Sequence, residues 1–474
     1  MSDFETVIGL EVHVQLKTDS KIFCSCSTAF ENPPNSNICP ICCGYPGVLP
    51  VFNKKALELA VRVSLALDCA INEYIYFERK NYFYPDLPKN YQISQYKQPL
   101  AENGFIELIN GSKIGVERVH LEEDAGKLIH AATASLVDYN RTGIPLLEIV
   151  SRPDIRSALE AVEYLTSLKQ ILQYIGASDC DMEKGSLRCD ANISLREKGD
   201  KNLGTKVEIK NMNSFKGIRD ALLFEEKRQK KSILEGKKIL QETRLWDVDN
   251  SKTIVMRSKE EAHDYRYFPE PDLLDFAVTE DLINLERSGL PELPKDKKER
   301  FIKQYCLADG DIKVLLSALW LADFFEEAVA NFNQPKQIFN WLTGPFLEQV
   351  NGLDGGFKTV GLCPAKFAKI VEYFCSDKLN NLAAKKVLAK AIVSNRDIDE
   401  IIAEEGLAQM SDSDDLTEFI HLVIEEFPKP VEEYLLGKET TIQFLVGQVM
   451  KRTKGKANPK IVKSLLIDAL SKLK

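Results

Sequence analysis

The chain has 474 residues and a formal net charge of −9 at pH 7, with 44% apolar and 28% charged residues. This length exceeds what one hydrophobic core usually serves, so we expect two or three domains. The acidic balance argues against nonspecific nucleic-acid binding by the whole surface, and no apolar run approaches the roughly 18 residues that a membrane span needs.

The N-terminal residues MSDFETVIGLEVHVQL carry two acids before the first apolar run and no basic region. We therefore expect no secretory signal. Six of the eleven cysteines lie scattered along the chain, as is normal for reduced thiols. Together these features predict a cytoplasmic protein that has no membrane partner.

The first predicted strand covers Val7–Leu16, where polar and apolar residues alternate. Alternation places Glu11 and His13 on one face and Val12 and Val14 on the other. A face that carries an acid and an imidazole requires either water or a ligand.

Two cysteine pairs follow this strand. Cys24 and Cys26 form a C-x-C pair, twelve residues before the C-x-x-C pair of Cys39 and Cys42. Two close thiolate pairs can supply four tetrahedral ligands to a structural zinc ion, and in a cytosolic protein this spacing favours metal over disulfides. The C-x-C pair departs from the usual C-x-x-C knuckle, Cys43 is a rival to Cys42, and tolerated buried thiols are the alternative.

Helical spacing predicts two helices in the N-terminal part, over Asn53–Asp68 and Ile155–Ile175. Between them, the stretch RKNYFYPDLPKNYQ (79–92) interleaves basic and aromatic residues, which suits stacking with a base or a nucleotide. A Tyr-rich loop that packs on a sheet is the alternative. Residues 139–148 are predicted as a turn that enters a strand, in which Arg141 and Glu148 need no catalytic role.

Three later strand-like runs also carry carboxylates: VHLEED (119–124), RCDAN (188–192) and KVEIKN (206–211). Acids with one imidazole suit Mg²⁺ or Mn²⁺, and Mg²⁺ commonly arrives with nucleotide phosphates. Strand alternation places Glu122 beside His120 and turns Glu123 to the opposite face. The solvent face of a sheet is the alternative interpretation. Basic residues near these runs are candidates for phosphate contact: Arg79, Lys80, Lys89, Lys127, Arg141, Lys206 and Lys210.

The sequence contains neither a P-loop nor the motif set of protein kinases. If the protein uses ATP, it does so with an unusual fold.

Helical spacing dominates from the Pro-rich and charged stretch GLPELPKDKKERF (289–301) onward, and we expect a domain boundary there. The segment Asp397–Glu426 holds eleven acids and no Lys or Arg, yet its apolar residues keep helical spacing. We predict two solvated helices joined by the turn SDSDD (411–415).

The charge reverses at the end, where the last 24 residues hold eight Lys or Arg and one Asp. The stretch PKP (428–430) is predicted as a hinge before this module. A basic loop beside an amphipathic helix could hold RNA phosphates through Lys451, Arg452, Lys454 and Lys456. A solvated charge run is the alternative.

Seven motifs run in one order over nearly the full chain: IGLEVHVQL, RKNYFYPDLPKNYQISQ, HLEEDAGK, VDYNRTGIPLLEIVSRPD, SLRCDANIS, KVEIKNMNSF and GQVMKRTKGKANP. They strongly resemble the GatB family, the B subunit of the tRNA-dependent amidotransferase. Members of this family amidate glutamate on misacylated tRNA(Gln) and often aspartate on tRNA(Asn).

The resemblance implies an α+β organisation with three domains. A mixed α/β cradle domain with a zinc loop is expected over residues 1–290, a helical domain over 291–405, and a small helical tail domain similar to YqeY, which contacts tRNA, over 406–474.

The resemblance also implies an activity and partners. The cradle is expected to phosphorylate the carboxylate of Glu-tRNA(Gln), with ATP and Mg²⁺, and then to amidate it with ammonia. Asp-tRNA(Asn) is an expected second substrate. The ammonia would come through a channel from the amidase (glutaminase) subunit, and a small third subunit would hold the pair together. A noncatalytic tRNA-binding scaffold in the same complex and a free-standing ligase that acts on small acids are the alternatives.

Carried onto this sequence, the family's catalytic positions fall on Glu11, His13, Glu122, Glu123, Asp190 and Glu208. The magnesium ligands are expected to be Glu11, His13, Glu123, Asp190 and Glu208, with the choice between Glu122 and Glu123 left open. The residues expected to contact the nucleotide are Lys80, Lys89, Lys206 and Lys210.

Overall fold

The structure is a computed structural model that describes residues 4–131, 133–258, 265–407, 413–453 and 457–473. The chain divides into two compact units, one that extends to Asp296 and one that starts at Lys297. The first unit combines sheets with helices, and the second contains helices. The predicted fold class, a mixed α/β part followed by helical parts, is therefore confirmed.

Among the described residues, the strands all belong to the first unit: β1 (Phe4–Gln15), β2 (Ala70–Ile71), β3 (Tyr74–Ile75), β4 (Glu78–Asn81), β5 (Tyr91–Ser94), β6 (Ala101–Glu107), β7 (Lys113–Glu123), β8 (Lys127–His130), β9 (Ser135–Asp138), β10 (Pro145–Ser151), β11 (Leu187–Glu197), β12 (Val207–Lys210), β13 (Glu242–Asp247), β14 (Lys252–Ser258), β15 (Phe268–Pro269) and β16 (Phe276–Ala277). The helices up to the unit boundary are α1 (Lys54–Ala66), α2 (Ala158–Tyr174), α3 (Phe215–Leu234), α4 (Glu280–Ser288) and the start of α5 (Pro294–Tyr305).

A nine-stranded sheet forms the centre of the first unit, in the order β14-β13-β12-β11-β1-β10-β7-β6-β2. Its pairs are antiparallel except for β12 with β13, which run parallel. In the register, His13 lies opposite Glu148 on one side and Arg188 on the other, and Glu11 lies opposite Asp190. The strands that carry the predicted acids are therefore neighbours, although they are distant in the sequence.

One face of this sheet is apolar and is covered by helices. Val12 of β1 belongs to the same core as Ala60 of α1, Tyr164 of α2 and Ile218 of α3, and all four are fully buried. Because side chains alternate along a strand, the polar residues of β1 point to the opposite face. The helices cover the apolar face, and the opposite, polar face of the sheet lines the site described below.

The cap of α1 ties this helix to the chain that precedes the cysteine loop. Asn53 Oδ1 accepts hydrogen bonds from the backbone N–H groups of Lys55 (2.9 Å) and Ala56 (3.4 Å). Its Nδ2 donates to the carbonyl oxygens of Ser20 (3.0 Å) and Lys21 (3.2 Å). The side chain therefore stabilises both the helix start and a tertiary contact.

Replacing Asn53 by Ala is expected to lower the free energy of unfolding by about 1–2 kcal/mol, because the cap and both donated bonds are lost. Asn53→Asp retains the cap acceptor and loses the donor, so we expect a smaller loss. Chemical denaturation of both variants provides the measurement. Equal losses would contradict a separate contribution from the cap.

The second unit contains, in the described ranges, the remainder of α5 and the helices α6 (Asp309–Leu315), α7 (Leu319–Asn331), α8 (Pro335–Trp341), α9 (Leu347–Asn351), α10 (Pro364–Cys375), α11 (Asn381–Ala391), α12 (Ile398–Glu405), α13 (Ser413–Glu426), α14 (Pro428–Leu435), α15 (Thr441–Arg452) and α16 (Pro459–Ser471). A π-helical turn joins α8 to α9. None of the helices in the described ranges combines the length and the apolar composition that a bilayer crossing requires.

Two separate apolar cores support the second unit. One uses residues between Phe301 and Ile402, and the other uses residues between Leu416 and Leu470. The division of the chain at residues 290 and 405 stays a prediction.

The acidic run contains the two predicted helices, α12 and α13, but two other predictions near the C-terminus were wrong. Residues 411–412 of the predicted turn lie outside the described residues, whereas 413–415 already belong to α13. The stretch 428–430 is the first turn of α14 rather than a hinge, because proline is well accommodated at the first helical position. Val431 shares a core with Leu416, which precedes the prolines.

Candidate active site

A cavity of about 460 Å³ lies over the polar face of the central sheet. Five adjacent strands supply its floor, and tyrosines supply part of its wall. Two floor residues, His120 and Glu122, are almost completely buried, so this is not an open sheet face in solvent. The residues that line it include Glu11, His13, His120, Glu122, Glu148, Arg188, Asp190, Glu208, Lys210, Lys80, Tyr82, Tyr96, Tyr265 and Tyr267.

A histidine and two glutamates meet at the middle of the floor. His13 Nε2 lies 3.6 Å from Glu122 Oε1 and 3.4 Å from Glu148 Oε2. His120 Nε2 lies 3.1 Å from the same Glu148 oxygen. One ligand atom from each of His13, Glu122 and Glu148 lies within 4.8 Å of the others. Carboxylates with one imidazole form a donor set that fits a hard divalent cation.

The electrostatics of this centre follow from the shared Glu148 carboxylate. Burial acts to raise the pKa of Glu148, but His120 and His13 outweigh it and hold the pKa well below its ordinary value. Burial acts to lower the pKa of His13, but its hydrogen bond to Glu148 and the charge of Glu122 raise it. The centre is therefore a compact arrangement of two carboxylates and two imidazoles, in which Glu148 is held in its anionic form.

Glu148 was not predicted as a site residue. It is the only charged residue in the apolar strand PLLEIVS, which is the one signal that the sequence offered. The structure places it directly between His13 of β1 and His120 of β7 because both are its partners in the register.

A second group of acids surrounds Lys210 at another part of the floor. Lys210 Nζ donates to Asp190 Oδ2 and lies 2.9 Å from Glu208 Oε1. Burial acts to lower the pKa of Lys210, but these two acids raise it, so the ammonium is retained. Burial raises the pKa of Glu11, helped by the charges of Glu148 and Glu208. Lys210 thus balances two acids, and Glu11 accepts a hydrogen bond from Asn192 Nδ2 (2.9 Å).

The buried Asp124 forms an ion pair with the half-buried Arg188, which was also not predicted. Arg188 donates to Asp124 Oδ1 (2.8 Å), and Gln15 Nε2 donates to Oδ2 (2.8 Å). Burial acts to raise the pKa of Asp124, but Arg188 and Arg141 lower it. This pair is a fixed part of the cavity wall.

Several predicted residues do not line the cavity: Glu123, Lys89, Lys206 and the further phosphate-contact candidates Arg79, Lys127 and Arg141. Glu123 points to the other side of β7, where it pairs with Lys89 at 2.5 Å and accepts a hydrogen bond from the Ile93 N–H (2.9 Å). Lys89 is thereby engaged away from the cavity, and Lys206 is exposed outside it. The structure instead brings together Glu11, His13, Glu122, Asp190, Glu208, Lys80 and Lys210.

Aromatic side chains line the cavity opposite these charges. Tyr96 and Tyr267 stack with their ring centroids 4.3 Å apart, and Tyr265 meets Tyr267 edge to face. Lys80 Nζ lies 5.0 Å from the centroid of Tyr265. From the predicted aromatic stretch, Tyr82 lines the cavity. Phe83 and Tyr84 of that stretch are exposed.

The cysteine cluster forms a separate site. The Sγ atoms of Cys24, Cys26, Cys39 and Cys42 all lie within 4.8 Å of one another, and the Cys39 and Cys42 sulfurs are 3.8 Å apart. A zinc–sulfur bond of about 2.3 Å in a tetrahedron requires sulfurs about 3.8 Å apart. The four thiols therefore fit a structural metal. Cys43 lies outside the cluster, which resolves its rivalry with Cys42.

The cysteine loop also holds the turn that precedes β10. Lys21, which is completely buried, points its Nζ at Cys42 Sγ (3.7 Å) and donates to the Tyr139 carbonyl (3.2 Å). The Asn37 N–H donates to Asn140 Oδ1 (2.8 Å). The cysteine loop thus fixes the turn from which the strand of Glu148 departs.

The basic residues of the tail are only partly described. Lys451 and Arg452 are exposed at the end of α15, where Arg452 forms an ion pair with Glu426. Lys454 and Lys456 lie outside the described residues.

Matches to two family models place the chain in a known class. Residues 6–284, more than half of the chain, match the GatB/GatE catalytic domain, and residues 323–470 match the GatB domain.

Full-length relatives give the more specific identification. The aspartyl/glutamyl-tRNA(Asn/Gln) amidotransferase B subunit of Carboxydothermus hydrogenoformans is 51% identical, with 100% of both chains covered. Those of Caldanaerobacter subterraneus subsp. tengcongensis and Persephonella marina are 51% and 48% identical, with 99% of this chain and 100% of each relative covered. The chain belongs to the family of aspartyl/glutamyl-tRNA(Asn/Gln) amidotransferase B subunits, as its motifs predicted.

Proposed function

We propose that the cavity phosphorylates and then amidates the side-chain carboxylate of glutamate on tRNA(Gln), with ATP as phosphoryl donor. Asp-tRNA(Asn) is the proposed second substrate. The observation that carries this proposal is the convergence on one cavity of acids, histidines and Lys210 from five adjacent strands, together with Lys80 from β4. RNA binding alone would not require carboxylates at these positions.

The chemistry explains why both cations and anions are needed. A carboxylate is a poor acyl donor to ammonia, because its leaving group would be oxide. Transfer of the γ-phosphoryl group to a carboxylate oxygen releases ADP, and ammonia then forms the amide as phosphate leaves. Two anions must therefore approach each other, and preorganised positive charge makes this possible. Lys80 and Lys210 line the cavity and are suited to that role.

Three floor residues are proposed to hold the divalent cation: His13, Glu122 and Glu148. Bound Mg²⁺ would offset the negative charge of the ATP phosphates. Of the two acids between which the sequence left the choice open, we propose Glu122, because Glu123 is engaged by Lys89; Glu148 is an additional proposed ligand. The second group of acids, on the part of the floor around Lys210, consists of Glu11, Asp190 and Glu208.

The assembly is proposed from the function of the family. Ammonia would come from glutamine hydrolysis in the amidase partner, and a small third subunit would complete the complex. Lys451 and Arg452 are the described candidates for tRNA phosphate contact.

The test is ADP formation by the complex assembled with its amidase and small subunits. We expect ADP to form with Glu-tRNA(Gln), and not with uncharged tRNA or free glutamate. Lys210→Met is expected to suppress this ADP formation while glutamine hydrolysis continues. Full ADP formation with free glutamate would favour a free-standing ligase. Undiminished ADP formation in Lys210→Met together with Glu11→Gln would place the reaction elsewhere and leave this chain as a scaffold.

The four cysteines are proposed to hold a structural zinc ion, for which Lys21 balances charge. A zinc ion with four thiolates carries a net negative charge, and the buried ammonium beside Cys42 offsets part of it. Replacing Lys21 by Met is expected to weaken zinc affinity by about 10- to 100-fold, as for other groups that support metal ligands. Competition with a chromophoric chelator measures this affinity. Lys17→Met is the matched control, because Lys17 is exposed; an equal loss there would contradict the role of Lys21.

A further inference from the structure

Gln95 presents a buried hydrogen-bond donor to the cavity. Its side chain is 1% exposed and lines the cavity. Oε1 accepts a hydrogen bond from the Leu121 N–H (2.9 Å), which fixes the orientation of the amide. Nε2 is buried and has no hydrogen-bond partner within the part of the chain that the structure describes. Because buried donors are nearly always paired, this group requires an acceptor.

Arg118 of β7, the strand whose Leu121 N–H binds Gln95, presents a second donor. It lines the cavity from β7, its buried Nε has no partner among the described residues, and its guanidinium carbon lies 5.9 Å from the centroid of Tyr96. The other cavity arginine, Arg188, is paired with Asp124. No carboxylate in the described ranges forms an ion pair with Arg118. Although the cavity is rich in acids, the Arg118 guanidinium is therefore available to an anionic group of a ligand.

The sheet separates Arg118 from Lys210. These residues lie on β7 and β12, and three strands stand between the two. Four strand spacings correspond to about 19 Å at the level of the backbone. One small anionic group cannot contact both cations, so the cavity has two distinct places for negative charge.

We propose that Gln95 and Arg118 form an oxyanion subsite that binds a substrate group directly. This inference rests on the proposed function, in which the cavity receives two anionic reactants. The planar guanidinium and the amide N–H suit the oxygens of a carboxylate or a phosphate. The ligand is therefore either the side-chain carboxylate of the aminoacyl group or a phosphate of the nucleotide.

Three variants of the assembled complex test the subsite. Gln95→Glu retains the acceptor for the Leu121 N–H and replaces the inward donor by an anionic oxygen. Arg118→Gln removes the charge, and Arg118→Lys retains the charge without the planar fork. The control is Arg196→Gln, because Arg196 pairs with Glu5 and does not line the cavity.

We expect Gln95→Glu and Arg118→Gln to raise one KM by about 10- to 100-fold, since a charge-assisted hydrogen bond is lost. A rise in the KM for ATP assigns the subsite to phosphate, and a rise in the KM for Glu-tRNA(Gln) assigns it to the carboxylate. Arg118→Lys is expected to recover part of the loss, and the control to stay near wild type.

Unchanged values of both KM would overturn the subsite, as would an equal change in the Arg196→Gln control. If Gln95→Glu does not fold, the KM values of the variants of half-buried Arg118 still test the subsite. ATP consumption by the wild-type complex tests the proposed function separately. If the wild-type complex consumes no ATP, the binding of ADP, of inorganic phosphate and of Glu-tRNA(Gln) to wild type and Arg118→Gln is compared by calorimetry, and equal affinities of the two proteins for all three probes overturn the subsite.

Discussion

Replacing Glu148 by glutamine is expected to lower tRNA-dependent ADP formation by about 100- to 1,000-fold. Glu148 Oε2 lies 3.4 Å from His13 Nε2 and 3.1 Å from His120 Nε2, so one charge organises both imidazoles. Glutamine has nearly the same shape but no charge, and it removes one of the three ligands proposed for the cation. The loss should therefore fall on the rate of the ATP-dependent step rather than on folding.

Glu286→Gln is the matched control for this experiment. Glu286 is also a buried carboxylate of the first unit, but it pairs with Arg62 (2.6 Å) and does not line the cavity. Its replacement should reduce stability and leave the rate per folded complex near wild type. Glutamine hydrolysis by the amidase partner provides an internal check in both variants. A Glu148→Gln complex that forms ADP at the wild-type rate would remove this centre from the mechanism.

Replacing Cys42 by Ser is expected to abolish zinc binding at the cysteine cluster and to destabilise the first unit by about 3 kcal/mol, similar to the loss of a native cross-link. Such a loss lowers Tm by roughly 5–10 °C for a domain of this size. The reason is that Cys42 is the buried member of the cluster, and its loop holds the turn before β10. Metal analysis and thermal unfolding measure the two effects.

Cys43→Ser separates the metal from the general effect of a lost thiol. Cys43 adjoins Cys42 in the sequence but lies outside the cluster. The Cys43→Ser variant should retain one zinc ion per chain and a Tm close to that of wild type. If both serine variants lose the metal equally, the assignment of Cys42 as a ligand is wrong.

The periodicity of the sequence predicted the secondary structure well, because burial on one side governs both helices and strands. The predicted helices 53–68 and 155–175 correspond to α1 (Lys54–Ala66) and α2 (Ala158–Tyr174). The predicted hinge at 428–430 failed because proline signals both chain breaks and helix starts, and only the packing of Val431 distinguishes them.

The site was harder to predict, because it depends on strand register rather than on local pattern. Alternation along β7 placed Glu122 and Glu123 on opposite faces, and the structure puts only Glu122 in the cavity. Alternation could not reveal that Lys89 would engage Glu123, since the contact joins two elements. Glu148 could not be predicted for the same reason, because its partners, His13 and His120, are set by the pairing of β10 with two distant strands.

The order of strands also determines when the cavity can exist during synthesis. β1 is synthesised before its sheet neighbours β10 and β11, which follow it by more than a hundred residues. Until then, Glu11 and His13 remain hydrated and cannot bind a nucleotide together with the acids of later strands. A nascent or truncated chain that ends before Lys210 should therefore lack the proposed ATP-dependent activity, because its incomplete sheet does not bring the cavity residues together.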